Sequence, residues 1–156
     1  MRRVPGDSPF PREIGPNEVS ARRALARCRV TMLPATTAAV ASNEVNKGDV
    51  LATARVAGIQ AAKQAAVLIP MAHPVLVGSV YVNFTIAETS IEIEASVDTI
   101  DRTGVEMEAL TAVTVAALTI YDMCKSIDRT MTVEGVALWE KSGGRSGTWR
   151  RGDGDN

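Results

Sequence analysis

The chain has 156 residues, of which 46% are hydrophobic, 22% are charged and only 4% are aromatic. This length is enough for one domain with a sizeable core, since a chain of about 150 residues buries roughly 68–70% of its unfolded surface. The 17 basic and 18 acidic side chains give a net charge of −1, which argues against a generally basic nucleic-acid-binding protein.

Metal, membrane and secretory classes find little support in the sequence. The single histidine and two distant cysteines, Cys28 and Cys124, do not supply the ligands of a tetrahedral zinc site. The purest apolar run, 109–118, is shorter than a membrane span and is expected to be a buried helix. The first residues lack the apolar segment of a secretory signal, so we expect a cytoplasmic protein. The net charge and the short apolar runs predict that it binds neither nucleic acid nor a membrane.

The two ends of the chain differ in composition from the middle. Residues 1–17 hold four of the seven prolines and show no apolar periodicity, which predicts a loose arm. Residues 142–156 are rich in glycine and charge, which predicts a flexible loop and tail. The span 18–141 is therefore expected to form a single domain, and it contains all but one of the candidate functional residues below.

The sequence of the first half of this domain predicts mostly helices. Ser20–Arg27 is interpreted as a short arginine-rich helix, Arg29–Leu33 as a short strand, and Ala35–Val45 as a second short helix. Asp49 then stands where an N-cap belongs, ahead of apolar residues spaced at the helical period. This long helix is expected to run up to Pro70.

The second half alternates between strand and helix patterns. Residues 80–86 and 91–97 each alternate apolar and polar side chains, and the short polar link between them predicts a hairpin. Thr103 and Glu106 fit a capping box at the start of a second long helix. The segment Thr132–Glu140 is predicted to be the last strand.

This order of elements predicts the fold class. Strand, helix, strand, strand, helix, strand is the ferredoxin-like βαββαβ arrangement, an α+β fold whose antiparallel sheet carries its helices on one face. The other face of the sheet would be exposed in a monomer, so we expect it to be covered by another subunit.

Two groups of side chains near the long helices are candidates for binding chemistry. His73 stands before Pro74, which stiffens its loop, although a lone histidine is more often structural. Glu108 lies on a stripe of the second long helix with Thr111 and Asp122. The stripe could simply face solvent, or its carboxylate could bind the amino and imino groups of a guanine-like ring.

The end of that helix and two basic segments supply the remaining candidates. Asp122 and Lys125 are three residues apart, so they could form a surface ion pair or a proton-transfer pair, and their apolar neighbours indicate partial burial. Lys47 precedes a helix start, where anions bind. Lys141 and Arg145 flank a glycine-rich loop that could close over phosphates, although such basic loops are common.

Three segments of the sequence resemble one enzyme family closely. They are KGDVLATARVAGIQAAKQAAVLIPMAHP, RTGVEMEALTAVTVAALTIYDMCKSIDRTMT and EKSGGRSG, which together run from about Lys47 to Gly147. The segments resemble the MoaC family of molybdenum cofactor biosynthesis. The resemblance implies a ferredoxin-like subunit in a homohexamer built as a trimer of dimers, with active sites at subunit interfaces.

The resemblance also implies an activity and a set of site residues. Members of the family are lyases that convert 3′,8-cyclo-7,8-dihydroguanosine 5′-triphosphate into cyclic pyranopterin monophosphate and pyrophosphate. By motif position, the resemblance implies catalytic roles for Asp122 and Lys125. It implies substrate binding by Lys47, Met71, Ala72, His73, Glu106, Met107, Glu108, Lys141 and Arg145. Ala72 stands where the family commonly has cysteine, and Arg145 where it commonly has lysine.

No sequence feature requires a metal held by the protein, although Mg²⁺ could accompany the substrate triphosphate. Two other hypotheses stay open at this point. One is a catalytically weakened paralogue, and the other is a ferredoxin-like module that binds a nucleotide or RNA without catalysis. An RNA-binding sheet needs two or three aromatic side chains on one face, whereas Tyr81 and Phe84 are predicted on opposite faces.

Overall fold

The computed structural model describes residues 19–145 and 147–153. Their centre is a sheet of five strands, in the order β2-β3-β1-β4-β5, in which each strand pairs antiparallel with its neighbours. The strands are β1 (Ser20–Thr31), β2 (Val77–Ile86), β3 (Ser90–Asp101), β4 (Thr132–Ser142) and β5 (Trp149–Arg150). The first four strands have the order and connections that the ferredoxin-like prediction requires.

The helices pack on one face of this sheet. They are α1 (Pro34–Ala41), α2 (Val50–Lys63), α3 (Ala65–Leu68) and α4 (Glu106–Cys124). The two long helices contact each other, while α4 also contacts β1, β3 and β4 and α2 contacts β2. The α+β, ferredoxin-like fold predicted from the sequence is therefore confirmed.

Small apolar residues fill the space between α4 and the sheet. The inward face of β1 carries Ala24, Ala26, Cys28 and Val30, all buried. The matching face of α4 is equally small, with Ala109, Ala112, Ala116 and Ala117 fully buried. Because these side chains are short, the helix can lie close to the strands, and the core needs few aromatic residues.

The helix predicted for Ser20–Arg27 is wrong, because this segment is the first two-thirds of β1. Its odd positions point away from the helices and carry Arg23 and Arg27, which pair with Asp98 and Glu94 of β3. Its even positions from Ala24 onward are buried. Alanine and arginine favour a helix intrinsically, but a central position in the sheet overrides that preference.

The ends of the two long helices differ in how well they were predicted. Asp49 is the N-cap of α2, as predicted, and its carboxylate accepts a hydrogen bond from the Ala52 amide. The helix ends at Lys63, earlier than predicted, and α3 follows it. The capping box at Thr103 is wrong, because Val105 occupies the N-cap of α4 and makes no side-chain cap.

The apolar helix α4 is long enough and apolar enough to meet the length and composition criteria for a membrane span. Most of it is buried between the sheet and α2, as the sequence predicted for 109–118. It therefore serves as the core helix of the domain. The predicted arm, 1–17, lies outside the described residues, and part of the predicted tail forms β5 against β4.

Candidate functional site

The candidate residues lie in two clusters at opposite ends of α4. The upper cluster surrounds the N-terminus of this helix and comprises Met71, Ala72, His73, Glu106, Met107, Glu108 and Lys141. The lower cluster surrounds its C-terminus and comprises Lys47, Asp122 and Lys125. Arg145 belongs to neither, since it is exposed on the turn after β4.

The upper cluster encloses a cavity of about 210 Å³. One wall is the turn after α3, which presents Met71, Ala72 and His73, and the other is the first turn of α4. His73 is exposed and Met71 is 90% exposed. The cavity is therefore open to solvent, with a carboxylate-bearing helix start on one side.

Two glutamates of α4 differ in their surroundings. Glu108 is only 4% exposed, and its burial, together with the nearby Glu106 carboxylate, raises the pKa of its side chain. Glu106 is half-buried and lies 3.5 Å from the Nζ atom of Lys141. The solvent-facing interpretation of Glu108 is therefore wrong, because Thr111 on the same stripe is buried as well.

Another cation beside Lys141 was not predicted from the sequence pattern. The guanidinium of Arg22 lies against Gly144, and its Nε donates a hydrogen bond of 3.1 Å to the Asp101 carbonyl. Because Ala24 pairs with Lys141 in the sheet register, Arg22 and Lys141 share the helix-facing side of the sheet. The alternation of apolar and polar residues along β1 would have predicted this shared face, but the segment was interpreted as a helix.

The lower cluster is a chain of three charged groups. Lys125 Nζ lies 2.9 Å from Asp122 Oδ1, and Lys47 Nζ lies 3.3 Å from Asp122 Oδ2. Lys47 also donates a hydrogen bond of 3.3 Å to the Asp122 carbonyl at the end of α4. Asp122 and Lys125 are exposed residues, with 58% and 57% of their side-chain surface open to solvent, so the predicted partial burial of this pair is not found in the chain.

This arrangement fixes the protonation states of the pair. Hydrogen bonds from Lys125 and then Lys47 lower the pKa of Asp122, and the Asp122 carboxylate raises the pKa of Lys125. At neutral pH Asp122 is thus an ionised base and Lys125 a protonated acid, in direct contact. The geometry thus places a base and an acid side by side, but both shifts move the pKa values away from neutrality, where general acid–base catalysis is most effective.

The structure does not bring the two clusters together within the chain. Glu108 and Asp122 are 14 positions apart, which corresponds to roughly 21 Å along a helix. No group of three or more histidine, cysteine or acidic side chains suited to hold a metal occurs among residues 19–145 and 147–153. The groups that these two clusters provide are cations, carboxylates and the exposed pair of Asp122 and Lys125.

Comparison with known proteins identifies the family. The MoaC family model matches residues 12–144. The chain belongs to the MoaC family. The resemblance seen in the sequence motifs is thereby confirmed.

Curated MoaC relatives match most of the chain. It is 55% identical over 141 residues to the cyclic pyranopterin monophosphate synthase of Chloroflexus aggregans, covering 89% of this chain and 86% of that protein. Identity to the synthase of Thermomicrobium roseum is 58% over 134 residues, covering 85% and 81%. Cyclic pyranopterin monophosphate synthase 3 of Mycobacterium bovis is 51% identical over 144 residues, covering 92% and 81%.

Proposed function

We propose that this protein is a cyclic pyranopterin monophosphate synthase, a lyase of molybdenum cofactor biosynthesis. It converts 3′,8-cyclo-7,8-dihydroguanosine 5′-triphosphate into cyclic pyranopterin monophosphate and pyrophosphate. The observation that carries this proposal is the MoaC match over residues 12–144, which includes every residue of both charged clusters.

Residues of both clusters, together with Arg145, would contact such a substrate. Lys47, His73, Lys141 and Arg145 bind the triphosphate as cations and hydrogen-bond donors. Glu106 or Glu108 accepts hydrogen bonds from the guanine-derived ring, and Met71, Ala72 and Met107 line its pocket. Asp122 and Lys125 transfer protons during ring opening, ring closure and formation of the cyclic phosphate with loss of pyrophosphate.

We further propose that one active site takes its clusters from two subunits. A single compact substrate cannot touch both ends of α4, which are roughly 21 Å apart at Glu108 and Asp122. The sheet face opposite the helices carries Tyr81, Ile100 and Trp139, which are 56%, 70% and 37% exposed. An oligomer in which a second copy covers these exposed apolar side chains is therefore favoured. The resemblance to the family favours a hexamer built as a trimer of dimers.

The cofactor and the compartment follow from the substrate. Mg²⁺ would enter with the triphosphate, whose oxygens are the ligands that it prefers. The protein itself would supply the positive charge of its lysines and arginines. The reaction uses a guanosine-derived triphosphate, so we propose that it takes place in the cytoplasm without a nucleic-acid or membrane partner.

The experiment is to incubate the full-length protein with the cyclised substrate and to follow pyrophosphate release. We expect turnover by the wild type and a loss of at least about a hundredfold in Lys125→Ala, because general acid–base catalysis contributes about that much or more. Lys63→Ala is the matched control, since Lys63 is an exposed lysine at the end of α2.

Each variant is first checked for unchanged mass of the oligomer and unchanged thermal unfolding. A wild-type protein that releases no pyrophosphate would overturn the proposed activity. Near-normal release by Lys125→Ala would leave the activity standing and remove Lys125 from the proton-transfer step.

A further inference from the structure

Asp128 is a buried carboxylate that the reaction above does not use. It is only 3% exposed, and both of its oxygens are fully occupied. Oδ2 accepts hydrogen bonds from the Leu33 amide at 2.9 Å and the Thr36 hydroxyl at 2.8 Å. Oδ1 accepts from the amide and the hydroxyl of Thr130, at 2.8 and 2.6 Å.

These four bonds join two segments of the chain that are far apart in sequence. Leu33 and Thr36 form the start of α1, whereas Asp128 and Thr130 belong to the loop that follows α4. Burial opposes ionisation of Asp128, but the hydrogen bonds from Thr130, Leu33 and Thr36 prevail and lower its pKa to about 2. These four hydrogen bonds, here called the Asp128 clamp, therefore hold a charged carboxylate at neutral pH.

The lower cluster lies on the chain next to these two segments. The chain leaves α1 at Ala41 and reaches Lys47 six residues later, while Asp122 and Lys125 are at the end of α4, just before Asp128. The stretch from Leu33 to Lys47 thus contacts the stretch from Asp122 to Thr130 at two points, the buried Asp128 and the exposed contact of Lys47 with Asp122. Exposed ion pairs contribute little to stability, whereas buried hydrogen bonds to a charged group are strong.

We propose that Asp128 is a positioning residue that sets Lys47 against Asp122 by fixing α1 to the loop after α4. This inference rests on the proposed function only for its effect on turnover. The position of Lys47 can be measured without any substrate.

Two adjacent buried threonines of α1 provide a matched pair of variants. Thr36 and Thr37 are 2% and 4% exposed. The Thr36 hydroxyl donates to Asp128, whereas the Thr37 hydroxyl donates to the Glu88 carbonyl in the β2–β3 turn and to the Pro34 carbonyl. Thr36→Val and Thr37→Val therefore remove the same group from the same helix turn, but only the first weakens the clamp.

The test is limited acetylation of the full-length oligomer with acetic anhydride, followed by peptide mass spectrometry. Labelling of Lys47 is measured relative to Lys63, an exposed lysine far from the clamp in sequence. We expect Thr36→Val and Asp128→Asn to increase the relative labelling of Lys47, because its amine leaves Asp122, and Thr37→Val to leave it unchanged. In pyrophosphate release, kcat should fall about ten- to a hundredfold in the first two variants only, since a small misplacement of a catalytic group costs that much.

Equal labelling of Lys47 in Thr36→Val and Thr37→Val would overturn the proposal, whatever the turnover. Increased labelling in Thr36→Val with unchanged kcat would support the positioning of Lys47 by Asp128. The same result would contradict the role of Lys47 in the proposed reaction. The failure of the inference and the failure of the proposed function are thus distinguished.

Discussion

At the scale of single residues, Glu108 is a carboxylate in a buried position, which is unfavourable for the stability of the fold. Glu108 lies in the first turn of α4. Burial without a strong hydrogen-bonding or charged partner disfavours the charged form of a carboxyl group. Its neighbour Glu106 adds repulsion, whereas Glu106 itself lies near Lys141. A charge kept in an unfavourable place is typical of a functional site.

This yields a prediction for Glu108→Gln. The pKa of Glu108 is raised in the folded state, so the native protein binds more protons than the unfolded chain, and its stability falls as pH rises through the range above the ordinary glutamate value. Removing the charge should increase the free energy of unfolding at about pH 7, because burial disfavours the charged form that the wild type carries there. The gain should vanish near pH 4, where the wild-type carboxyl is protonated as well.

Denaturant unfolding at fixed protein concentration measures this difference, since the stability of the proposed oligomer would depend on concentration. Glu106→Gln is the control, and it should not stabilise the protein, because it removes the partner of Lys141. A destabilised Glu108→Gln protein at neutral pH would show that the carboxylate is held by favourable contacts instead. Turnover should fall in this variant if Glu108 binds the ring of the substrate.

At the scale of elements, the contact between α2 and α4 depends on a residue without a side chain. Gly58 lies buried in α2, and a Cβ atom at this position would stand 3.0 Å from the Ala112 carbonyl oxygen and 3.2 Å from Cγ2 of Val82. Opposite it, Ala112 and Ala116 of α4 are fully buried. Small residues on both helices thus set how closely the two long helices approach.

We therefore predict that Gly58→Ala destabilises the protein. Replacing glycine by alanine inside a helix normally stabilises it by up to about 1 kcal/mol. Here the added methyl group meets backbone and β2, and overpacking costs about 1–3 kcal/mol. The net loss, about 1 kcal/mol, is measured by denaturant unfolding.

The control for helix propensity is Ala57→Gly at the neighbouring, half-buried position, which should destabilise by propensity alone. If Gly58→Ala were more stable than the wild type, the α2–α4 contact would have room that the structure does not show. The separation of the helices would then be set elsewhere.

At the scale of the whole molecule, the separation of the two clusters leads to a test of assembly. If one active site uses the upper cluster of one subunit and the lower cluster of another, two differently disabled variants should complement each other. His73→Ala and Lys125→Ala remove one residue from each cluster. After dissociation and joint reassembly, some sites should contain both wild-type residues and recover a fraction of the wild-type turnover.

Native mass spectrometry establishes that mixed oligomers have formed, and each variant reassembled alone is the control. Mixed oligomers without recovered pyrophosphate release would show that His73 and Lys125 of one site come from one chain. In that case one substrate molecule would have to span the roughly 21 Å between the two ends of α4 in a single chain.

Local patterns predicted much of this structure. The alternation in residues 80–86 and 91–97 gave β2 and β3, and the capping aspartate gave the start of α2. The family and its activity followed from motifs that the family comparison confirms. The prediction failed at Ser20–Arg27, where alanines and arginines suit a helix intrinsically but lie at the centre of the sheet.

Local patterns are enough to predict the type and order of most elements and the capped start of α2, because these depend on neighbours along the chain. The chemistry of the candidate side chains is a property of the residues themselves. Tertiary structure alone decided that Glu108 is buried, that Arg22 shares a face with Lys141, and that Asp128 joins α1 to the loop after α4. Each of these depends on contacts between segments distant in sequence. Such contacts form only when the chain folds, since burial and pairing in space are not encoded by local periodicity.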